Sequence, residues 1–299
     1  MKNNESLVSI IIIAYKKPDS LKRLLDSIYK SSYKNIEVVV VNNSSEDYKL
    51  RYEQIIKEFP HVIHCWNGKN LMISSAWNLG FDLSKGDMTL FSADDFIFEF
   101  SMLRYLVNSI SKAENIGVVG PMMYYSNNEM HDPAYSISLS TGIPLLKRYK
   151  PGDNKVNLVD GVILISRKIM KEVGKFDEKN FNFYLETAEF CARVRQKGYI
   201  CVVCFEARAW HDHLPLGGYI LPDPDRYKFT KTYYYLLSTK VKYIRKHANA
   251  LQKICFFSLF LWLLFIWHGG TILLLAKHKK KEKFFMLCKG IINGIFEKL

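Results

Sequence analysis

The first apolar run, Leu7 to Ala14 (LVSIIIIA), is short, β-branched and nearly uninterrupted, the pattern of a strand covered on both faces. Pro18, Asp19 and Ser20 then offer a helix start, and Leu21, Leu24, Leu25 and Ile28 follow at i, i+3, i+4 and i+7. A second buried strand, Ile36 to Val41, ends in Asn42, Asn43, Ser44 and Ser45. Residues 47–59 have weak helical spacing, and Val62 to Trp66 read as a third strand. Strand, helix, strand, helix, strand predicts a doubly wound α/β half with a parallel sheet. AYKKP stands after the first strand in place of a glycine fingerprint, which argues against an ordinary dinucleotide enzyme.

Further along, Asn70 to Gly80 opens a helix, and Met88 to Phe91 form a short strand that ends at Asp94 and Asp95. Residues 101–112 read as a helix and Gly117 to Met123 as a strand; residues 124–156 lack periodicity and read as a long functional loop or small insertion. Asn157 to Ile165 is expected to be a strand, Arg167 to Val173 a helix stopped by Gly174, and Glu186 to Lys197 a helix capped by Gly198. Ile200 to Phe205 follow as a strand, leading to Trp210, His211, Asp212 and His213. The Pro/Gly-rich stretch Leu214 to Pro224 reads as a lid beside candidate ligands, and 226–247 as an aromatic, basic helix.

Charge divides the chain. The net charge is +13 over 299 residues, yet 1–225 hold 27 Lys+Arg against 27 Asp+Glu, while 226–299 hold 15 against 2. The whole excess therefore lies in the C-terminal quarter, where it suits anionic lipid headgroups first and nucleic acid second. Two domains are expected, 1–225 and 226–299. Six cysteines scattered through apolar sequence, with no leading segment like a signal peptide, point to a reducing, cytoplasmic setting. Cys201 and Cys204 form a CxxC inside a strand, where alternation turns the sulfurs to opposite faces and makes them core residues.

Ile254 to Ala276 is 23 residues without a charge, about 34 Å as a helix and nominally enough to cross a bilayer. His268, Gly269 and Gly270 interrupt it, and both flanks, Lys240 to Lys253 and Lys277 to Lys283, are basic. The positive-inside tendency prefers both flanks on the cytoplasmic side, so a hairpin or in-plane anchor is expected over a single span. The competing reading is a buried helix that makes a homo-oligomer.

Asp94 and Asp95 stand at the carboxyl end of a strand, where open α/β sheets bind ligands. Paired hard oxygens there suit a divalent cation, which can hold a diphosphate; a turn or helix-capping pair is the equal rival.

Taken in order, the segments from about 7 to 250 resemble family 2 glycosyltransferases of the GT-A fold, particularly the rhamnosyltransferase-like branch. The likeness rests on VSIIIIAYKKPDSLKRLLDSI, VVVNNSSED, NLMISSAWNLGFDLSKGD, FSADDF, VDGVILISRKIMKEVGKFDE, FYLETAEFCARVRQKGY and ARAWHDH. It implies a Rossmann-like, mostly parallel central sheet flanked by helices, with a C-terminal helical membrane-associating region. It also implies inverting transfer of a sugar from a nucleotide diphosphate sugar to an acceptor hydroxyl, on a lipid-linked or cell-surface glycan, with Mg²⁺ or Mn²⁺ as cofactor. On this resemblance Asp95 and His211 are metal ligands, Ala14, Tyr15, Asn42, Asn78 and Asp94 meet the nucleotide, and Glu186 or Glu189 is the base. The protein is then expected at the cytoplasmic face of a membrane, held through its C-terminal region.

The chain departs from the pattern in places. ETAE stands where the family usually has EDxD, so Thr187 occupies the position of the usual base. Asn42 replaces an aspartate that accepts a hydrogen bond from the nucleobase, Ala93 the first polar residue of the metal motif, and Met72 and Ser75 common glycines. These departures support an alternative, a catalytically degenerate sugar-nucleotide-binding or scaffold protein.

Overall fold

A computed structural model of the chain describes residues 5–131, 134–146, 154–212 and 230–299. The expected lid at 214–224, His213 and the expected domain boundary at 225/226 lie outside the described residues. The structure separates into two compact units. One holds the described residues within 1–136, 146–178 and 186–214, the other those within 137–145, 179–185 and 215–299.

The first unit begins with β1 (Val8–Ala14), α1 (Pro18–Lys30), β2 (Ile36–Asn42), α2 (Lys49–Lys57), β3 (Val62–Trp66), α3 (Ile73–Leu83) and β4 (Met88–Ala93). Then come β5 (Phe96–Phe98), α4 (Met102–Ile110), β6 (Ile116–Tyr125) and β7 (Met130–His131); a separate two-stranded ladder of β8 (Tyr135–Ile137) and β9 (Pro144–Leu146) follows in chain order before the first unit resumes. β10 (Lys155–Val156), β11 (Ile163–Ser166), α5 (Arg167–Val173), α6 (Glu186–Gln196) and β12 (Ile200–His211) complete it.

The main sheet runs β10-β12-β6-β11-β4-β1-β2-β3, with β5 on β12 and β7 on β6. β4, β1, β2 and β3 are mutually parallel, as the continuous apolar runs predict. β11 enters antiparallel between β4 and β6, and β12 is again parallel to β6. Every residue of β1 is buried. Ile10, Ile12 and Ala14 share a core with Leu21, Leu24, Leu25 and Ile28 of α1. Ile11 faces the other way, toward Gly80 of α3, where an added Cβ would lie 2.3 Å from Ile11 Cγ2. Cys204 Sγ points toward the Tyr105 carbonyl of α4 at 3.7 Å, while Cys201 pairs with Cys191 of α6, so the two sulfurs do face opposite ways.

One expected strand is shorter than its apolar run. Residues 157–162 are buried at Leu158, Val159 and Val162 but form no ladder, and β11 starts only at Ile163. Gly161 is in the left-handed region (φ +76), its N–H donates to Asp160 Oδ1 at 2.9 Å, and Val162 N donates to the Asp160 carbonyl at 3.0 Å. This tight turn replaces a strand because the carboxylate competes locally for the backbone N–H. β12 is longer than expected, reaching His211 through an irregularity between Cys204 and Arg208.

The second unit contains α7 (Lys231–His247), α8 (Ala250–Cys255), α9 (Leu261–Leu275) and α10 (Lys280–Phe296). α8 starts on a capping box made by Asn249 and Gln252, and one wide π turn at Phe256–Phe260 joins it to α9. The result is one helix, Ala250–Leu275, long and apolar enough to cross a membrane and mostly exposed. The expected break at His268–Gly270 is absent. A glycine inside a helix costs only about 1 kcal/mol, and Gly269 lies buried beside Phe284 of α10, where a Cβ would stand 3.0 Å from the ring. The chain turns instead after Leu275, with Lys279 left-handed (φ 51), and α10 packs along α7.

That packing needs small residues. A Cβ on Gly290 would lie 2.3 Å from the Tyr234 carbonyl oxygen, and one on Gly294 2.8 Å from Val241 Cβ. Gly290→Ala is therefore expected to lower the stability of the second unit by about 1–3 kcal/mol, read as an earlier unfolding transition of the full chain in detergent.

Candidate functional site

The site forms where β1, β2 and β4 end together. Ala14 is in register with Asn42, and Ile13 with Ala93, so Tyr15, Asn43 and Asp94 emerge at one edge of the sheet. This is the edge at which α/β sheets hold ligands.

Asp94 is 4% exposed, and its Oδ2 accepts the Tyr15 N–H at 2.8 Å. Burial, reinforced by the charge of Asp95, pushes its carboxyl up to about 8, against the pull of that N–H and of Lys17. Asp95 behaves in the opposite way. Burial opposes its ionisation too, but His211 and Lys17 outweigh it and hold its carboxyl well below the usual range. Lys17 Nζ lies 2.7 Å from Asp95 Oδ2, and His211 Nε2 3.4 Å from Oδ1. β12 brings His211 here, where its ring stacks on Phe96 at 4.4 Å and meets His131 edge-on at 5.5 Å. The Asp212 N–H donates to the Asp95 carbonyl at 2.7 Å, and its carboxylate pairs with Arg23.

The turn after β2 forms the other wall. Asn42 Oδ1 accepts the Ser44 N–H at 3.0 Å, and its Nδ2 faces His64 Nε2 at 3.4 Å. Asn43 N donates to the Ala14 carbonyl at 2.8 Å, which joins the two strand ends. Lys16 is left-handed (φ 57) and its N–H donates to Ser44 Oγ, while Lys17 N–H donates to Tyr52 Oη. The structure thus brings Ala14, Tyr15, Asn42, Asp94, Asp95 and His211 to one edge. Asn78 is different: its amide donates to the Phe176 carbonyl and to Glu178, both at 2.9 Å, and accepts the Phe176 N–H at 3.1 Å. It latches α3 to the 176–178 segment.

The two α6 glutamates also part company. Glu189 is fully buried, and both its oxygens accept from Arg193 Nε, at 2.8 and 3.0 Å. Arg193 spends its other donors on the carbonyls of Val173, Gly174 and Lys175. Glu189 is therefore a strut between α6 and the end of α5. Glu186 is buried beside Asp160, and burial first, then Asp160, pushes its carboxyl up to about 8.

Asp160 itself was not singled out from the sequence. Its mark there is slight, an acid before Gly161 inside an apolar run. In the structure it accepts from Gly161 N and Thr187 Oγ1, both at 2.9 Å, and from Tyr135 Oη at 3.3 Å. Lys17 was likewise missed, because its role depends on the fold of the β1–α1 loop.

Among the described residues no three His, Cys, Asp or Glu side chains gather as a ready metal cage. Asp95 and His211 offer one oxygen and one nitrogen, and the Lys17 ammonium already stands as a cation against Asp95. Such a pair fits a hexacoordinate ion that takes its remaining ligands from phosphate oxygens and water, as Mg²⁺ commonly does.

Comparison with known proteins is consistent across sequence and fold. The family model described as Glycosyl transferase family 2 matches residues 9–174, over half of the chain. An uncharacterized glycosyltransferase of Rickettsia felis is 27% identical over 184 residues, which cover 58% of this chain and 29% of that protein. An uncharacterized glycosyltransferase of Rickettsia typhi is 27% identical over 192 residues, covering 60% and 56%. Glycosyltransferase GlyA of Streptococcus pneumoniae is 31% identical over 128 residues, covering 43% and 18%. The chain thus spans less than two thirds of each of these relatives. Among solved structures, GalNAc-T7 with UDP, GalNAc and Mn²⁺ superposes with a TM-score of 0.61 at 16% identity, covering 84% of this chain and 55% of that one. The mannosyltransferase PcManGT of Pyrobaculum calidifontis with GDP-Man and Mn²⁺ gives 0.58 at 14%, covering 98% and 88%. The fold is of GT-A type.

Two outcomes follow from the α6 geometry. Glu189→Ala leaves the half-buried Arg193 without its carboxylate and is expected to cost about 1–3 kcal/mol in chemical denaturation. For Glu186, the folded carboxyl titrates near 8 against an ordinary 4.5, so the folded state holds the extra proton between those values. Stability of the wild type should fall as pH rises through that window relative to Glu186→Gln, which lacks the group. Parallel melting profiles for the two proteins from pH 5 to 8 would refute the assignment.

Proposed function

The chain belongs to glycosyl transferase family 2, and on that premise we propose that it moves a sugar from a nucleotide diphosphate sugar to a hydroxyl of a lipid-linked or cell-surface glycan. The observation that carries the proposal is the pair Asp94 and Asp95 at the common edge of β1, β2 and β4, facing the Asn42–Ser44 turn. The nucleoside lies against Ala14, Tyr15 and that turn, and the diphosphate lies toward Asp95, Lys17 and His211. Mg²⁺ or Mn²⁺ held by Asp95 and His211 would neutralise charge on the diphosphate as it leaves; both solved neighbours contain Mn²⁺. Lys17, 2.7 Å from Asp95, adds a second positive charge on the same side.

Inversion requires the acceptor hydroxyl to attack the face of the sugar opposite the diphosphate and to lose its proton to a carboxylate. The carboxyl groups available on the acceptor side are those around the start of α6. The rhamnosyltransferase-like branch is our reading of the motif order, and the two-domain division, 1–225 catalytic and 226–299 basic and helical, accompanies it. The exposed apolar helix Ala250–Leu275, flanked by basic residues, supports attachment to the cytoplasmic face of a membrane. Thr187 in the base position favours one second reading, a relative that binds a sugar nucleotide without turnover.

Thermal shift of the purified chain against uridine, thymidine, guanosine and cytidine diphosphate sugars, with and without Mn²⁺, tests the proposal. A matching donor at 100 times its Kd should stabilise the fold by about 2.7 kcal/mol, and Asp95→Asn should remove the Mn²⁺-dependent part. Absence of donor turnover across the panel would overturn the proposal, and stabilisation without turnover would select the second reading.

A further inference from the structure

Position 187 carries a hydroxyl where the family usually carries the base, yet a carboxylate is present at that place in the fold. Thr187 Oγ1 donates to Asp160 Oδ1 at 2.9 Å. We propose that Asp160 is the general base of the transfer: the carboxylate missing from α6 is supplied across the gap by the turn that precedes β11. This rests on the glycosyl-transfer reading above and assigns a residue within that site.

The other acids near the start of α6 are unsuited to the task. Glu189 has both oxygens on Arg193 and no exposure. Glu186 is buried, and burial with Asp160 beside it pushes its carboxyl up to about 8, so at neutral pH it is mostly protonated and is the poorer proton acceptor of the two. Asp160 is half-buried and reaches solvent. Among the described residues its Oδ1 takes the two short contacts, from Thr187 and Gly161, and Oδ2 only the longer one at 3.3 Å from Tyr135 Oη. Oδ2 is thus the oxygen placed to take a proton. Nearby, Glu186 Oε2 is shielded from solvent and has no hydrogen-bond partner among the described residues, a buried polar atom that a ligand hydroxyl would satisfy.

The turn also adjoins the remainder of the site. A Cβ on Gly161 would stand 3.2 Å from Phe96 Cζ, and Phe96 stacks on His211. The acceptor oxygen forms a bond to the anomeric carbon and gives its proton to Asp160 Oδ2. The bond from that carbon to the phosphate oxygen breaks, and its electron pair leaves with the nucleoside diphosphate.

The test uses the full chain and whichever diphosphate sugar of the panel wild type turns over, with water or an added alcohol as acceptor. Asp160→Asn should lower kcat by about 10²–10⁴-fold while donor Kd and melting temperature stay at wild-type values. The double exchange Asp160→Thr with Thr187→Asp returns the carboxylate to α6 and should recover at least about tenfold of that loss. A merely structural Asp160 would give no such rescue. The inference is overturned if Asp160→Asn keeps kcat within about threefold of wild type, or if the exchanged protein binds donor normally yet is no faster than Asp160→Asn. Wild type that turns over no donor in the panel sinks the glycosyl-transfer reading, and this assignment with it.

Discussion

The site depends on one hydrogen bond, from the Tyr15 N–H to the carboxyl of Asp94. An acid 4% exposed at the end of a buried strand loses nearly all its hydration, a penalty of several kcal/mol if it stays charged and unpaired. The fold meets it with a backbone donor from the neighbouring strand and with a carboxyl that holds its proton at neutral pH. That contact fixes where the chain leaves β1. Lys16 then turns left-handed, and Tyr52 Oη takes the Lys17 N–H, so the Lys17 ammonium arrives at Asp95. One buried, proton-holding acid thereby positions its ionised neighbour, which faces two cationic or potentially cationic side chains.

The parallel half of the sheet was legible because burial on both faces leaves a continuous β-branched run. β1, β2 and β3 end within a residue of where their apolar runs end. Periodicity reports burial, however, and not hydrogen bonding. Leu158, Val159 and Val162 are buried as a strand would be, yet the Asp160–Gly161 turn withholds them from the ladder. That turn is also why Asp160 went unnoticed. Glu189 and Arg193 stand at i and i+4 in plain view, but spacing alone says nothing of exposure, and Glu189 proves to be fully buried, with the half-buried Arg193 bracing three carbonyls. In the C-terminal quarter Gly269 and Gly270 suggested a break. Gly269 instead lets α10 approach α9, a packing gain invisible to a reading of one helix at a time.

Residues that depart from the family pattern keep its geometry. Met72 stands where a glycine is common, and its backbone still adopts a glycine-like conformation, φ 68 and ψ −165. Such a conformation costs of order 1–3 kcal/mol and persists only where its surroundings impose it. They do so here: Asn70 Oδ1 takes the Met72 N–H at 2.8 Å, and the Met72 carbonyl takes Asn43 Nδ2 at 3.1 Å. The strained residue therefore braces the same Asn42–Ser44 turn that closes on Ala14.

Asn42 obeys the same rule. Its Oδ1 accepts the Ser44 N–H as a carboxylate oxygen would, so the turn survives the loss of charge, while the new Nδ2 donor is directed at His64. A neutral amide in that place presents a donor that a carboxylate lacks without moving the backbone of the turn. At Thr187 the side chain has lost its acid, but its hydroxyl holds an acid brought from another element. Where the backbone frame is rigid, chemistry can change residue or migrate between neighbouring residues. The presence or absence of one motif letter is then weaker support for or against activity than the distances among the groups the frame brings together.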